Sequence, residues 1–295
     1  MESATPTHAL RMAKSSSKAA DKKAAVKAAG AALTRKRDVL KAAEGLDVTS
    51  ALGMILQKES IVAVAAEELG DDDRLWISAL TETNMRPLCG DVAWLDGGIG
   101  KELAREAFVE GSKYLIAHAS PTGLAARAAN VDPEPNGVPV AFVRYGFELE
   151  KDANVPVLRV QTLQVEPDSQ RTGLGKLLTL LTEMVGKKAN VGGVMVAIAR
   201  DGHDAAKAFY AATKYVVSDL DSSKTNPWAG EDASPSKGTR GGAVDVFQKT
   251  WTDDTAAAIQ KAGVALRVKN EKALQTSKTG HGDGDGDLSW TTGRY

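Results

Sequence analysis

A single cysteine, Cys89, stands among 295 residues. One thiol excludes a disulfide framework and any four-cysteine zinc site, and it favours reducing surroundings. No stretch is apolar over the roughly 20 residues that a membrane-spanning helix needs. The N-terminus lacks the apolar core of a secretory signal. Net charge is nearly absent too: 37 Lys+Arg against 38 Asp+Glu leave −1, which excludes an overall basic nucleic-acid coat. No internal repeat is visible. What remains is ordinary globular composition, 43% hydrophobic and 25% charged, at a length that allows one or two domains.

The even balance hides an uneven distribution. Residues 1–42 hold ten basic and three acidic residues, so this arm is about +7 and the remainder about −8. An acidic body suits a cationic partner. A basic arm suits nucleic acid, an import receptor or plain solubility. An organellar transit peptide is a rival reading, since Ala and Ser are frequent and acids few, but the preference for Lys over Arg argues against it. Residues 1–17 read as polar and disordered. Residues 18–40 favour helix by Ala and Lys content, with Gly30 against it.

Hydrophobic spacing gives the element order. A strand is expected over 61–66. A helix then starts at Asp71-Asp-Asp73 and shows Leu75, Trp76, Ala79 and Leu80 on one face until Pro87 and Gly90 stop it. A second helix covers 101–110. Strands follow over 114–117, 138–149 and 155–165, the last two joined by a hairpin turn at Lys151-Asp-Ala-Asn154. A helix carries Leu174, Leu177, Leu178, Leu181 and Met184. Then come a strand over 194–199, a helix over 204–213 and strands over 215–217 and 243–250. Residues 120–137 and 219–242 read as loops, the second unusually long. A helix over 253–274 is expected outside the core, followed by a polar, disordered tail from Ser277. The fold class is therefore α/β (α+β), with about seven strands and flanking helices.

The chemistry is carried by Val165-Glu-Pro-Asp-Ser-Gln-Arg-Thr-Gly-Leu-Gly-Lys176, between a strand and a helix. Two glycines let backbone approach a large anion, and the helix N-terminus offers unpaired N–H groups and partial positive charge. Arg171 and Lys176 add formal charge. A pyrophosphate is the natural guest. The G-x-G-x-x-G and G-x-x-x-x-G-K-[ST] patterns are both absent. The bland alternative is that Gly173 and Gly175 only shape a loop.

Gln170-x-x-Gly173-x-Gly175 after a long strand resembles the coenzyme A loop of the GNAT acyltransferases. The element order resembles theirs as well, and implies the GNAT acyltransferase fold, a mixed central sheet of about seven strands flanked by helices. Ala205-Ala-Lys-Ala-Phe-Tyr-Ala-Ala-Thr-Lys-Tyr215 is similar to their A-x-x-F-Y-x-x-x-G-[FY] segment, with Lys214 in place of Gly. Thr83-Asn-Met85, Trp94, Tyr114-Leu-Ile-Ala117, Val138-Pro-Val-Ala-Phe142 and Asp221-Ser-Ser223 narrow the resemblance to the histone-specific N-alpha-acetyltransferase D family, over about residues 43–250.

That resemblance implies acetyl-CoA as cosubstrate, no metal, and transfer to basic protein amino termini, histones beginning Ser-Gly-Arg-Gly among them. It implies residence in nucleus and cytoplasm; no membrane and no direct nucleic-acid site are expected, and the sequence leaves the oligomeric state open, with a monomer favoured. The backbone of Leu163, Gln164 and Val165 would face the acetyl group, in an oxyanion-type role. Gln170, Arg171, Thr172, Gly173, Leu174, Gly175 and Lys176 would hold the pyrophosphate. Glu148 and Glu150 match acidic substrate positions and, two apart on a strand, share a face that could receive a basic side chain; a solvated edge is the alternative. Trp94 matches an aromatic at the peptide site, or packs in the core. The Tyr210 hydroxyl either protonates the leaving thiolate or reaches solvent.

Several positions depart from the family. Thr162 replaces its catalytic glutamate, and Gln161 and Arg159 replace tyrosines on the same strand. Cys89 replaces an aromatic, and Val244 falls near a further substrate tyrosine. Polar coenzyme contacts near Ala197 and Gly202 are missing. Glu148 or Glu150 acting through water ordered by Gln161 and Thr162 is the candidate base, with His203 another; Glu166 reads as an exposed loop residue. Three readings stay open: N-alpha-acetylation, acetylation of a different amine, and a coenzyme A or basic-tail binding module without turnover. Asp283-Gly-Asp-Gly-Asp287 is not an EF-hand, because Leu288 and Arg294 occupy the required Gly and Glu positions. The expected organisation is an arm (1–42), an acyltransferase domain (43–250), a helical extension (251–276) and a tail (277–295).

Overall fold

The computed structural model of the chain describes residues 6–58, 60–95, 98–119, 137–199, 202–218, 220 and 244–279. All but the last residue of the loop expected over 120–137, nearly all of 219–242 and the tail beyond residue 279 lie outside them. In chain order the elements are α1 (Pro6–Glu44), α2 (Val48–Lys58), β1 (Ile61–Ala65), α3 (Asp71–Cys89), α4 (Asp91–Leu95), α5 (Ile99–Ala107), β2 (Lys113–His118), β3 (Pro139–Glu150), β4 (Val155–Val165), α6 (Leu174–Lys188), β5 (Gly193–Ala199), α7 (Asp204–Ala212), β6 (Val216–Val217), β7 (Val244–Thr250) and α8 (Asp253–Thr279).

The strands form one seven-stranded sheet in the order β1-β2-β3-β4-β5-β7-β6. Every neighbouring pair is antiparallel except β4 and β5. The mixed α/β class and the strand number expected from the sequence are both present.

Alternation decides which side chains meet which helix. On one face Tyr114, Ile116 and Phe142 pack on Ile77 and Leu80 of α3. Further along the same face, Val155, Val157, Met195 and Val246 pack on Ile259 and Leu266 of α8. On the other face Leu115, Val143, Tyr145, Leu158 and Val160 meet Leu174, Leu178, Leu181 and Val185 of α6, and Leu52 and Leu56 of α2.

Four expectations change. Residues 6–17 continue α1 rather than forming a disordered lead, because Ala, Lys, Arg and Met are strong helix formers and Gly30 costs only about 1 kcal/mol in a long helix. The same helix passes residue 42 unbroken, and its last turns pack on the sheet, with Ala43 fully buried. The C-terminal helix is not outside the core: Ile259, Ala262 and Leu266, at helical spacing, cover β4, β5 and β7. Pro87 lies inside the last turn of α3, and Gly90 (φ 81°) caps the helix by donating its N–H to Arg86 O. Two helices, α2 and α4, were not anticipated. The signal for α2 was Asp47, whose Oδ1 accepts the Ser50 N–H at 3.0 Å as an N-cap does.

Candidate functional site

β4 and β5 pair only where Leu158–Val160 face Val194–Val196. Beyond that point β4 runs on to Val165 along β3, and β5 runs on to Ala199 along β7. The sheet therefore opens between the two strands, and the β4 edge past Val160 has no strand on that side. Glu166 N–H donates to Val140 O across β3 at 2.9 Å. Antiparallel alternation then turns the N–H and C=O of Gln164 toward β3, and those of Leu163 and Val165 outward into the opening. Of the three backbone units expected to face an acyl group, two are placed for it and Gln164 is not. The side chains of Asn84 and Gln170 donate to the outward Val165 carbonyl at 3.1 and 3.2 Å, leaving the Leu163 and Val165 N–H groups.

The glycine loop closes one end of this opening. After a short 3₁₀ turn at Pro167–Ser169 the chain passes Arg171 at φ 64° and Gly173 at φ 103°, and α6 begins at Leu174. Holding an arginine in the left-handed region costs about 1–2 kcal/mol, a cost typical of ligand loops. Gly173 supplies a φ that side-chain-bearing residues rarely adopt. No side chain caps α6, so its first N–H groups stay available to an anion. Leu174 is buried and anchors the loop, the Thr172 hydroxyl donates to Ser169 O at 2.6 Å, and Arg171 and Lys176 are exposed beside it. The position of a Gly175 Cβ would lie 3.6 Å from the Phe209 ring, so α7 backs the loop.

α3 crosses the end of β4. Trp76 Nε1 donates to Glu166 Oε1 at 2.7 Å, so Glu166 is a tie between elements rather than an idle loop residue. Asn84 Nδ2 donates to Gln164 Oε1 at 3.0 Å, and Gln164 Nε2 donates to Thr162 Oγ1 at 3.0 Å. Thr162 thus has its oxygen occupied and its O–H left to donate onward. It cannot serve as a base, but it can hold a water or carbonyl.

The acidic candidates are dispersed. Glu148 Oε1 accepts from Arg159 Nε at 2.5 Å, and its register partner is Val157, roughly 20 Å along the strand from Leu163 at about 3.3 Å per residue. Glu150 is buried at the hairpin turn, where it accepts the Ala153 N–H at 2.5 Å and burial lifts its carboxyl above the ordinary range. The structure does not bring either to the glycine loop. Gln161 is the bulge residue between Arg144–Thr162 and Tyr145–Val160, and its Oε1 accepts from the Ser112 hydroxyl at 3.4 Å.

Tyr210 does not reach solvent. Its ring is buried among Phe209, Tyr215 and Phe247, and burial raises its phenol far enough to keep the proton on. Trp94 is buried against Gly100 and lines a groove of about 320 Å³ with Ser78, Thr81 and Leu103. His203 heads α7 half-buried, its imidazole held below the usual range by burial and then by Lys207. Burial raises the Cys89 thiol, which disfavours a thiolate. Val244 is buried at the start of β7 opposite Ala199. Among the described residues no group of His, Cys, Asp or Glu side chains is placed to hold a metal, and no helix is long and apolar enough to cross a membrane.

Two residues were missed. Arg144 sits mid-strand in an otherwise apolar run, and that break was its signal. It is buried, and desolvation lowers its guanidinium, with Tyr114 and Glu106 opposing the shift. Glu106 on α5 is the second: burial raises its carboxyl, Arg144 offsets part of the rise, and nothing in the sequence marks it.

No protein-family model matches the chain. Solved structures with similarity include the PaiA N-acetyltransferase of Thermoplasma acidophilum in complex with coenzyme A, at 12% identity over 65% of this chain and 99% of that one (TM-score 0.38). Arabidopsis thaliana NAA60 in complex with a bisubstrate analogue matches at 11% identity over 65% and 99% (TM-score 0.40). Nourseothricin acetyltransferase matches at 16% identity over 48% of this chain and 65% of that one (TM-score 0.32). At such identities and scores the likeness carries no functional weight.

Proposed function

We propose that the protein is an acetyl-CoA-dependent acetyltransferase of the GNAT kind that acts on a protein amino terminus. The observation that carries this reading is the opening of β4 from β5 beyond Val160, with the uncapped N-terminus of α6 at its end. The residues present fit the cosubstrate. Arg171, Gly173, Gly175 and Lys176 would hold its pyrophosphate, and the outward N–H groups of Leu163 and Val165 would bind its pantetheine amides or polarise the acyl carbonyl. Acetyl-CoA supplies an acetyl group activated as a thioester.

The acceptor nitrogen must shed a proton. An α-amine has an ordinary pKa of about 7.7–8.0, so part of it is neutral already. Glu148 is engaged by Arg159, and Glu150 by the hairpin turn. Glu106, half-buried on α5 within electrostatic reach of Arg144, whose register partner is Thr162 in the open part of β4, is the carboxylate proposed instead to take the proton. Tyr210, held protonated, suits only a donor.

The resemblance names a Ser-Gly-Arg-Gly terminus as acceptor, in the nucleus and cytoplasm. The carboxylates it would use for the arginine are the two already engaged, and this favours the second reading, an amino terminus of other composition. Incubation with acetyl-CoA and a panel of peptides, followed by mass spectrometry to locate the acetyl group, tests the proposal. Transfer to an α-amine is expected. Transfer to lysine side chains alone, or coenzyme binding without any transfer, would overturn it.

A further inference from the structure

Asn84, Gln164 and Thr162 form a chain of hydrogen bonds that ends at the open edge of β4. Asn84 Nδ2 donates to Gln164 Oε1 at 3.0 Å and to Val165 O at 3.1 Å, and Gln164 Nε2 donates to Thr162 Oγ1 at 3.0 Å. An amide side chain can often be turned end for end, which would reverse such a chain. Here it cannot. Val165 O is a backbone carbonyl and only accepts. The group beside it must be the Asn84 amino group, which then takes the Gln164 oxygen, and this sends the Gln164 amino group to Thr162. One backbone oxygen thus sets the direction of every bond in the chain.

Thr162 receives a donor at its oxygen, so its own hydrogen goes elsewhere. Its register partner on β3 is Arg144, whose guanidinium carries donors only. Among the described residues no acceptor takes the Thr162 hydrogen. The residue is half-buried, and no strand pairs with β4 beyond Val160. Thr162 and Gln164 alternate onto one face of the strand, the face that Asn84 approaches from α3. The hydroxyl therefore stands at the rim of the opening. The next residue, Leu163, turns its N–H into that opening, where the acyl carbonyl is proposed to sit.

A fixed donor at this place suits neither form of the reacting nitrogen. An ammonium has no lone pair to accept with, and a neutral amine needs its pair for the acyl carbon. In an amino terminus the nearest acceptor is the carbonyl oxygen of the first residue, about 3 Å from the nitrogen by bond lengths. A lysine side chain or an aliphatic polyamine has no oxygen so close to its nitrogen.

We infer that the Thr162 hydroxyl holds the carbonyl oxygen of the acceptor's first residue, and that this bond tells an α-amine from a side-chain amine. Gln164 and Asn84 are positioning residues that aim the hydroxyl. The assignment deepens the acetyl-transfer reading and rests on it for the nature of the ligand, but its test reads binding as well as turnover.

The probes are an alanine tetrapeptide amide and its trans-alkene isostere, in which a carbon–carbon double bond replaces the first peptide group. Each is titrated calorimetrically into the full chain saturated with coenzyme A. The peptide should bind about tenfold more tightly to the wild type than to Thr162→Val, while the isostere should bind both alike. Thr162→Ser, which keeps the hydroxyl, should restore the peptide's affinity, and coenzyme affinity should be the same in both variants. Equal losses for peptide and isostere would put the hydroxyl on a water or on the acyl group and overturn the inference. So would a peptide that does not bind, or that binds Thr162→Val as tightly as the wild type. A peptide whose binding depends on its carbonyl and on Thr162, yet which is not acetylated from acetyl-CoA, sinks the acetyl-transfer reading and leaves the Thr162 assignment standing.

Discussion

Asn84 on α3 and Gln164 on β4 are joined amide to amide, Nδ2 to Oε1 at 3.0 Å, and the same Asn84 Nδ2 reaches the Val165 carbonyl at 3.1 Å. One side chain therefore fixes both the helix over the opening and the glutamine that orients Thr162. Asn84→Ala leaves both acceptors without this donor and should lower stability by about 1–3 kcal/mol. Urea unfolding measures it. A loss under a few tenths of a kcal/mol would mean that water replaces the amide.

Gly173 at φ 103° is the position where the glycine loop enters α6. Gly173→Val must either strain the backbone, by more than about 1–2 kcal/mol, or rebuild the loop. Coenzyme A affinity, read by calorimetry, should fall at least about tenfold. Unchanged affinity would dissociate this loop from coenzyme binding.

Glu106 supplies the pH test. As a base it works only when deprotonated, and burial moves its proton loss above the ordinary 4.5. Turnover should therefore rise with pH through a range above 4.5. Glu106→Gln should lower kcat by about 100-fold or more, remove that acidic limb and leave coenzyme affinity intact. A variant with normal kcat would assign the proton to solvent or to another group.

Glu150 should behave in the opposite way. Its folded-state carboxyl is lifted above 4.5 by burial, so the folded state holds the proton more tightly than the unfolded chain. The resulting stabilisation is complete below about 4.5 and is lost as pH rises through the folded value. Glu150→Gln keeps an oxygen for the Ala153 N–H and has no charge to bury. It should flatten that slope and leave turnover unchanged, as thermal unfolding and assays across pH 4–8 (roughly the window of carboxyl linkage) would show. Lost turnover would return Glu150 to the site.

Gly192 meets α8 without clearance: an added Cβ would lie 1.9 Å from Thr255 Oγ1. Gly192→Ala should cost about 1–3 kcal/mol by overpacking, read as a lower Tm. An unchanged Tm would mean that α8 moves away at little cost.

These positions show how far a sequence can be read. The bounds of β4 were legible residue for residue, because its valine-rich run starts after the polar turn Lys151–Asn154 and ends just before Glu166-Pro167. The existence of α6, though not its ends, was legible from the spacing of Leu174, Leu178 and Leu181. The glycine loop was legible because its φ requirements leave a residue-type signature at Gly173. The acceptor side was not. Glu148 and Glu150 share a face as expected, yet Arg159 reaches Glu148 only through the β3–β4 register, and that register is shifted by the Gln161 bulge. Arg144 and Gly146 become neighbours of Arg159 for the same reason. Glu106 comes within electrostatic reach of Arg144 because of where α5 packs, a tertiary fact with no local trace. The docking of α8 was equally hidden, since Ile259 and Leu266 gain an apolar face to cover only once β4, β5 and β7 are assembled.

The last turns of α1 have a consequence for modularity. Val39 packs on the core, Ala43 is fully buried, and Lys36 Nζ donates to Asn154 O at 2.5 Å, across 118 positions in sequence. A fragment beginning at residue 43 would cut through a packed helix and uncover the β3–β4 hairpin. The basic segment and the rest of the chain are thus not separable parts: whatever pulls on the N-terminal helix pulls on the hairpin that carries Glu148 and leads, along β4, to the opening itself.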